Sequence, residues 1–261
     1  MNSLARTSSM PVLFVGHGSP MNAIGDNPFR QTWLQLGQSL PRPKAILCVS
    51  AHWETHSPQF CTANPPKTIH DFAGFPAILF QQQYPAPGAP QWAGRIEELL
   101  GAQAIGLTPE WGLDHGAWSV LLSLFPQADV PVAQLSLARS FSPAEHFAYA
   151  QKLQSLRDEG VLLIGSGNTV HNLRHLSPGQ TPVWAQQFKD YVLDAIERDD
   201  PAALIDYRAN PAAAMAVPTA EHYLPLLYAM AWRRGEDRID HFNQGFDLGS
   251  IAMHSLMLSV A

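Results

Sequence analysis

The sequence is short of three features that define other classes of protein. Only two cysteines, Cys48 and Cys61, occur in 261 residues, which argues against a disulfide scaffold and for a reducing compartment. Charged residues make up only 15% of the chain, and a net charge of −6 offers no basic surface for nucleic acid. No apolar run reaches the roughly 18 residues that a membrane span needs. We therefore expect a soluble, cytoplasmic protein that binds neither nucleic acid nor membrane.

No targeting signal is expected at the N-terminus. Residues 1–9 are polar, and the apolar run after them, Met10–Val15, is too short for the apolar part of a signal peptide. We expect residues 1–9 to form a flexible tail. Hydrophobic residues make up 46% of the chain, which is enough for a large core. Because no linker or repeat divides it, residues 1–261 are predicted to form one domain.

Short apolar runs that alternate with helical patterns predict the fold class. A capping-box pattern at Ser142–Glu145 starts one helix, whose apolar stripe continues to Leu156. Other helices are predicted from Thr181 and over Gln91–Leu100, and Leu248–Val260 is a weaker candidate to close the sheet. Four runs have the length of buried strands: Pro11–Val15, Ala45–Val49, Val130–Leu135 and Val161–Ile164. The alternation predicts an α/β fold, a single-domain three-layer α/β/α sandwich with a largely parallel, mixed central sheet.

Residues 57–90 differ in composition from the rest of the chain. They contain seven prolines and several aromatic residues, among them Phe72 and Phe75. One interpretation is a long surface loop that packs on its own aromatic side chains. The other is a wall or lid over a pocket for a flat, apolar ligand.

Histidines follow three of the four predicted strands. His17, His52 and His171 come shortly after the first, second and fourth of them. A single histidine after a strand is more often a hydrogen-bonded turn residue than a ligand. Ligands of open α/β sheets, however, bind beyond the carboxyl ends of the strands, and imidazole is the commonest side-chain metal ligand near neutral pH. Three histidines at this edge therefore predict a metal site.

Two further histidines lie in suggestive contexts. His115 occupies a glycine-flanked turn before an apolar helix, and His222 lies near the start of another; either could by itself be a capping residue. The remaining candidates, His70, His146, His241 and His254, are predicted to be surface or core residues.

Other catalytic motifs are not matched. The pairs His52/His56 and His171/His175 have the spacing of helical zinc ligands but lack the glutamate of H-E-x-x-H. Ser19 is followed by proline rather than by the pattern of a nucleophile elbow. Gly165-Ser-Gly167 lacks the third glycine of a dinucleotide-binding loop. The sequence therefore does not predict a metalloprotease, a serine hydrolase or a nucleotide-dependent enzyme.

Six sequence blocks together resemble one known family. In chain order they are Gly16–Met21, Val49–Trp53, Thr68–Phe72 with Gly74–Pro76, Trp111–Gly116, Gly165–Asn168 with Val170–Asn172, and Glu221–Leu226. They resemble the DOPA 4,5-dioxygenase-like branch of the class III extradiol ring-cleaving dioxygenases, the LigB-type superfamily. The resemblance spans residue 11 to roughly residue 230. It implies an α/β/α fold and the O2-dependent opening of a catechol by non-haem Fe(II), with Zn(II) plausible as the bound metal.

The resemblance also implies roles for individual residues. His17, His52 and His222 match metal ligands, and His171 matches either a fourth ligand or the acid–base group. His115 matches a histidine that contacts the substrate. The wider superfamily completes its iron site with a carboxylate, whereas here His222 takes that position with Glu221 directly before it. Adjacent helical residues do not share a face, so we expect only His222 to face the metal.

Two alternatives to ring cleavage remain at this point. A zinc ion on the same histidines, with a bound water and a histidine base, would suit a hydrolase. The Memo proteins resemble this fold yet are described as interaction modules, so a binding protein without catalysis is the second alternative. All five histidines are retained here, which favours an enzyme.

Overall fold

A computed structural model describes residues 9–260, so the predicted flexible tail, apart from Ser9, lies outside the described residues. The strands are β1 Val12–Gly16, β2 Ala45–Ser50, β3 Glu54–Thr55, β4 Gln59–Cys61, β5 Gly106–Thr108, β6 Val132–Gln134, β7 Leu137–Ala138, β8 Val161–Gly167, β9 Asp237–Phe242, β10 Phe246–Asp247, β11 Ile251–Ala252 and β12 Ser255–Val260. The α-helices are α1 Pro28–Ser39, α2 Ala77–Phe80, α3 Ala93–Leu100, α4 His115–Leu124, α5 Pro143–Gln151, α6 Leu156–Glu159, α7 Val183–Glu197, α8 Pro201–Ile205, α9 Ala213–Ala216 and α10 Leu224–Ala231.

The central sheet has six strands in the order β6-β2-β8-β1-β12-β9. Strands β6, β2, β8 and β1 run parallel. Strand β12 pairs antiparallel with β1, and β9 pairs antiparallel with β12. All four predicted strands therefore lie side by side, and the prediction of a largely parallel, mixed sheet is confirmed. Because these four strands are parallel, their carboxyl ends meet at one edge of the sheet.

Helices cover both faces of the sheet, as a three-layer sandwich requires. Side chains that alternate along β1 enter two separate cores: Val12 and Phe14 pack on one face, and Leu13 and Val15 on the other. The first core is completed by helices α5, α7 and α10, and the second by α1 and α4. The strands are buried on both faces, which explains why they appear in the sequence as continuous apolar runs.

The helix predicted from Ser142 begins as expected but is shorter than its apolar stripe. Ser142 and Glu145 form the capping box at the start of α5. The helix ends at Gln151, and the prediction of a helix that continues to Leu156 is wrong. Two tight turns follow, in which the Leu153 amide donates to Ala150 O and the Leu156 amide to Leu153 O. These turns still bury both leucines, so burial alone did not require one continuous helix.

The other boundaries differ from prediction by a few residues. Helix α7 begins directly after Pro182, and α3 is preceded by a 3-10 turn over Pro90–Trp92. The weaker candidate at the C-terminus, Leu248–Val260, divides into β11 and β12. Strand β12 pairs with β1 and so closes part of the sheet, as predicted. No helix within residues 9–260 is both long enough and apolar enough to cross a membrane.

The proline-rich segment 57–90 combines both interpretations. Phe60 and Tyr84 are buried in the cores and anchor it to the body of the protein. Phe72 and Phe75 instead line a cavity at the carboxyl edge of the sheet. The segment is therefore a packed loop whose middle part forms one wall of a pocket.

Candidate metal centre

A cavity of about 400 Å³ opens where strands β1, β2 and β8 end. All five histidines singled out in the sequence line it, and most of its other walls are apolar. The histidines are His17, His52, His115, His171 and His222. The sequence prediction that distant parts of the chain bring these imidazoles together agrees with this geometry.

Three of the rings form a nearly equilateral triangle. The ring centroids of His17, His52 and His222 lie 5.0 to 5.4 Å apart. The Nε2 atoms of His17 and His52 are 3.1 Å apart, close to the roughly 3.3 Å expected between two nitrogens bound tetrahedrally to one zinc ion. Two imidazole nitrogens at this separation are stable when a proton or a cation lies between them.

The hydrogen bonds around His17 leave its Nε2 lone pair free. The Ser166 hydroxyl donates to Gly116 O, with 2.6 Å between the two oxygens. Its oxygen must therefore accept from Nδ1–H of His17, at 3.0 Å. With the hydrogen on Nδ1, Nε2 carries the lone pair that a metal requires.

His222 is oriented in the same way by its neighbour in the chain. Its Nδ1 lies 3.0 Å from Oε1 of Glu221, so a hydrogen on Nδ1 is donated to the carboxylate. Its Nε2 is buried and has no hydrogen-bond partner in the described part of the chain. An unpaired buried nitrogen is costly unless a ligand satisfies it. Glu221 thus contacts the far side of the His222 ring, a contact that the sequence did not predict.

Glycines in β8 allow the loop that carries His222 to approach the sheet. A Cβ atom on Gly167 would collide with the carbonyl of His222, and one on Gly165 would collide with that of Pro225. The amide of Asn168 donates to the same His222 carbonyl at 2.8 Å. The Gly-Ser-Gly sequence therefore serves close backbone packing and the placement of Ser166.

Asp71 is the functional residue that sequence reasoning missed. Its Oδ1 accepts from the backbone amide of His115 at 2.9 Å, and its Oδ2 lies 3.0 Å from Nδ1 of His115. The same Oδ2 is 3.3 Å from Nδ1 of His52. Asp71 lies in the block Thr68–Phe72, so the sequence block pointed to the segment but not to this residue's partners. One carboxylate thus contacts two histidines of the centre.

His171 is placed differently from the triangle. Its ring stacks on that of His222 at a centroid distance of 3.5 Å and an angle of 6°. A ring nitrogen of each of these two histidines and a carboxylate oxygen of Glu221 lie within 4.8 Å of one another. His171 therefore lies directly beside a proposed metal ligand.

Burial keeps the imidazoles of the centre neutral. It lowers the pKa of His17 and of His222 well below the usual value, and neighbouring histidines lower it further. Burial also lowers the pKa of His52 to about 3 and that of His171 to about 4. Burial raises the pKa of Asp71, but bonds and charges of His115 and His52 outweigh it and leave that pKa below its ordinary value. Neutral imidazoles beside an ionised carboxylate are a suitable donor set for a divalent cation.

Four further histidines, which were predicted to be surface or core residues, lie outside the cavity. His146 is buried with its Nδ1 3.0 Å from the Tyr228 hydroxyl. His254 is fully buried next to His241 at the edge of the sheet. The Nε2 of His70 lies 3.0 Å from the carbonyl of Gln82. None of these residues lines the cavity.

Comparison with known proteins agrees with this geometry. Residues 13–246 match the family described as the catalytic LigB subunit of aromatic ring-opening dioxygenase. A protein of Escherichia coli K12 named 4,5-DOPA dioxygenase extradiol is 44% identical over 97% of this chain and 96% of its own length. A protein of the same name from Beta vulgaris is 37% identical over 93% and 94%.

A solved structure gives the same result for the fold. The crystal structure of an uncharacterized protein from Escherichia coli K12 superposes with a TM-score of 0.83 at 39% identity. The match covers 96% of this chain and all of that one. The fold, the family match and the long, closely similar relatives agree, and the chain belongs to the LigB family and is an extradiol-type, aromatic ring-opening dioxygenase.

Proposed function

We propose that the chain uses a metal ion held by His17, His52 and His222 to cleave the ring of a DOPA-like catechol. Fe(II) is the metal proposed for activity, and Zn(II), which also takes imidazole donors, is the alternative. The product is a ring-opened semialdehyde that contains both atoms of O2. The observation that carries the proposal is the buried Nε2 of His222, which lacks a partner while its Nδ1 is held by Glu221.

The metal would supply a Lewis acid that lowers the pKa of the catechol hydroxyls and a redox centre for O2. The protein's own groups would do the rest. His115 lines the cavity with its Nδ1 tied to Asp71, so its Nε2 is suited to accept a hydroxyl proton from the substrate. His171, stacked on His222, is the proposed acid that returns a proton during ring opening.

The walls of the cavity suit an aromatic ring. Phe72 and Phe75 form one side, and Leu173, Leu176 and Ile251 contribute to the rest. Such a lining excludes water and gives a flat substrate apolar contacts on its faces. No lysine or arginine of residues 9–260 lines this cavity, so a carboxylate attached directly to the ring would find no cation from this part of the chain within it.

An adjoining cavity of about 350 Å³ offers a place for a charged side chain. It shares His171, Leu173 and His222 with the first cavity and adds Arg174 and Glu221. The guanidinium of Arg174 has no partner among residues 9–260. We propose that an amino-acid side chain on the catechol extends here, with its carboxylate towards Arg174. Relatives named for DOPA, which has such a side chain, support this substrate class.

Anaerobic reconstitution with Fe(II), followed by air and a panel of catechols, tests the proposal. We expect O2 consumption in equal amount with the catechol and the appearance of a yellow ring-opened product. The same protein with Zn(II) should consume no O2. Hydrolysis of esters or amides by the Zn(II) form, without O2 consumption by the Fe(II) form, would instead assign a hydrolase. Binding of catechols without any turnover would indicate a non-catalytic, Memo-like protein.

A cytoplasmic location is part of the same proposal. Cys48 and Cys61 are both buried and unpaired, which suits a reducing compartment.

A further inference from the structure

We propose that Asp71 is a positioning residue that fixes the tautomer of two histidines at once. It holds the hydrogen of His52 and of His115 on Nδ1, and so leaves the lone pair of both imidazoles on Nε2. The roles of the two lone pairs, one for the metal and one for the substrate proton, rest on the proposed function. The tautomers themselves rest only on the contacts of Asp71.

The carboxylate is held in one orientation by a donor that cannot change. The backbone amide of His115 donates to Oδ1 at 2.9 Å, and a backbone N–H has no alternative role. This bond directs Oδ2 towards the two side chains. An ionised carboxylate only accepts hydrogen bonds, so each Nδ1 next to Oδ2 must carry its hydrogen.

The two contacts with Oδ2 differ in length. Nδ1 of His115 lies 3.0 Å away, and Nδ1 of His52 lies 3.3 Å away. The two rings are themselves close, with centroids 3.8 Å apart. A lone pair on either Nδ1 would face the negative oxygen directly, which disfavours the other tautomer of both rings. Asp71 is expected to favour the Nδ1–H tautomer more strongly in His115 than in His52 because its contact with His115 is shorter.

The free nitrogens then have the direction that the site needs. Nε2 of His52 faces Nε2 of His17 at 3.1 Å. Nε2 of His115 has no hydrogen-bond partner within residues 9–260, and the residue lines the cavity. Ser166 and Glu221 orient His17 and His222 in the same sense. Among residues 9–260, Asp71 is the one group whose contacts do so for two rings.

Replacing Asp71 by asparagine tests the inference because the two side chains have nearly the same shape. The backbone amide of His115 would keep the amide oxygen at the position of Oδ1. The NH2 group would then take the place of Oδ2 and present donors to both Nδ1 atoms. Each ring would have to accept there and move its hydrogen to Nε2, where His52 could no longer bind a metal.

The primary measurement is long-range 1H–15N NMR of the full chain labelled in its histidines, without added metal. In the unmodified protein we expect His115 to carry its hydrogen on Nδ1. His52 is compared between samples with and without Zn(II), because its Nε2 faces that of His17 at 3.1 Å and one of the two must carry a hydrogen when no ion lies between them. In Asp71→Asn we expect the hydrogen on Nε2, first of all for His115. Asp26→Asn, the same change at an exposed carboxylate that accepts from Gln31, is the matched control and should leave both tautomers unchanged. Unchanged tautomers in Asp71→Asn would overturn the inference.

Zinc affinity separates a tautomer effect from a loss of shape. Loss of a residue that supports a metal ligand typically lowers affinity by about 10- to 100-fold, and we expect this range for Asp71→Asn. Asp71→Ala removes the acceptor without adding a donor, so it should bind Zn(II) more tightly than Asp71→Asn although it is less like aspartate in shape. The opposite order would mean that Asp71 acts only by filling space. Neither measurement uses catechol or O2, so failure of ring cleavage would leave their result readable.

Discussion

Two clusters of histidine in this protein look alike in composition and differ in what their nitrogens face. The first is the candidate metal centre, defined by the rings of His17, His52 and His222 and called the metal centre below. The second is the edge pair, His241 and His254, on strand β9 and just before β12. In the edge pair, Nδ1 of His241 lies 2.8 Å from Nε2 of His254, and Nε2 of His241 lies 2.7 Å from a carboxylate oxygen of Glu197.

The difference lies in the direction of the hydrogen bonds. In the edge pair, Nε2–H of His254 can donate to Nδ1 of His241, and Nε2–H of His241 can donate to the carboxylate of Glu197. The side chain of Glu197 is exposed. In the metal centre, each Nδ1 is occupied by a separate oxygen, and the Nε2 lone pairs remain. Crowded histidines therefore indicate a metal site only when independent partners take the opposite nitrogen of each ring.

The largest expected effect separates the two clusters. His17→Ala removes one of three proposed ligands, and we expect it to lose bound metal and, with it, turnover. His254→Gln, the matched change in the edge pair, keeps a donor for His241 and should retain both metal and turnover. Metal analysis after dialysis and O2 uptake with a catechol check both variants. Equal metal loss in the two would show that the comparison is false.

A second variant sharpens the boundary of the metal centre. His171 is stacked on a proposed ligand, and we expect His171→Ala to keep substantial metal while kcat falls by roughly 10²- to 10⁴-fold, as for loss of a general acid or base. Metal content and steady-state kinetics on the same samples give the answer. If His171→Ala loses as much metal as His17→Ala, His171 is a ligand.

The edge pair predicts an effect of pH on stability. Burial, with a smaller contribution from His241, lowers the pKa of His254 to about 3, whereas an unfolded histidine has a pKa of about 6.5. The folded form therefore binds fewer protons below pH 6.5. The contribution of neutral His254 to the free energy of unfolding is complete above pH 6.5. It is lost as the pH falls towards 3, by up to about 1.4 kcal/mol per pH unit.

His254→Gln removes this titration. Denaturant unfolding at pH 7, 6, 5 and 4 should show the unmodified protein losing stability more steeply than the variant. Parallel curves would mean that His254 is protonated in the folded state and that the edge pair is not neutral.

The smallest expected effect concerns the adjoining cavity, which Arg174 lines. Arg174 is exposed, and contacts between exposed charges contribute about 0.2–1 kcal/mol. Arg174→Gln should therefore raise KM for a catechol with a carboxylate on its side chain by roughly two- to fivefold. KM for catechol itself should stay the same. An equal rise for both substrates would remove Arg174 from substrate recognition, while the metal centre would be unaffected.

Much of the fold was predictable because the parallel strands are buried on both faces and appear as apolar runs. Strand β9 was not predicted, since an edge strand of sequence Asp-Arg-Ile-Asp-His-Phe carries mostly polar and partly exposed residues. The end of α5 was also missed. The apolar spacing of Leu153 and Leu156 is satisfied equally well by two tight turns, so periodicity could not mark the last helical residue.

Three histidines of the site, His17, His52 and His171, were predictable because they follow strands whose ends share one edge. His115 begins one helix and His222 precedes another, and both were predicted from the family resemblance. Their supporting groups were not. Ser166 and Asp71 act through single oxygens, and nothing in their sequence positions shows which ring nitrogen they face. The partners of Asp71 lie 19 and 44 residues away along the chain, and only the packing of the loop 57–90 brings them together.

The backbone contact between β8 and the turn that holds His222 affects how metal enters. Because the amide of Asn168 already fixes the carbonyl of His222 at 2.8 Å, the proposed ligand is in position before any ion arrives. Little conformational entropy is then lost when an ion is captured. The rate of loading should therefore be governed by diffusion through the mouth of the cavity rather than by folding of the chain around the ion.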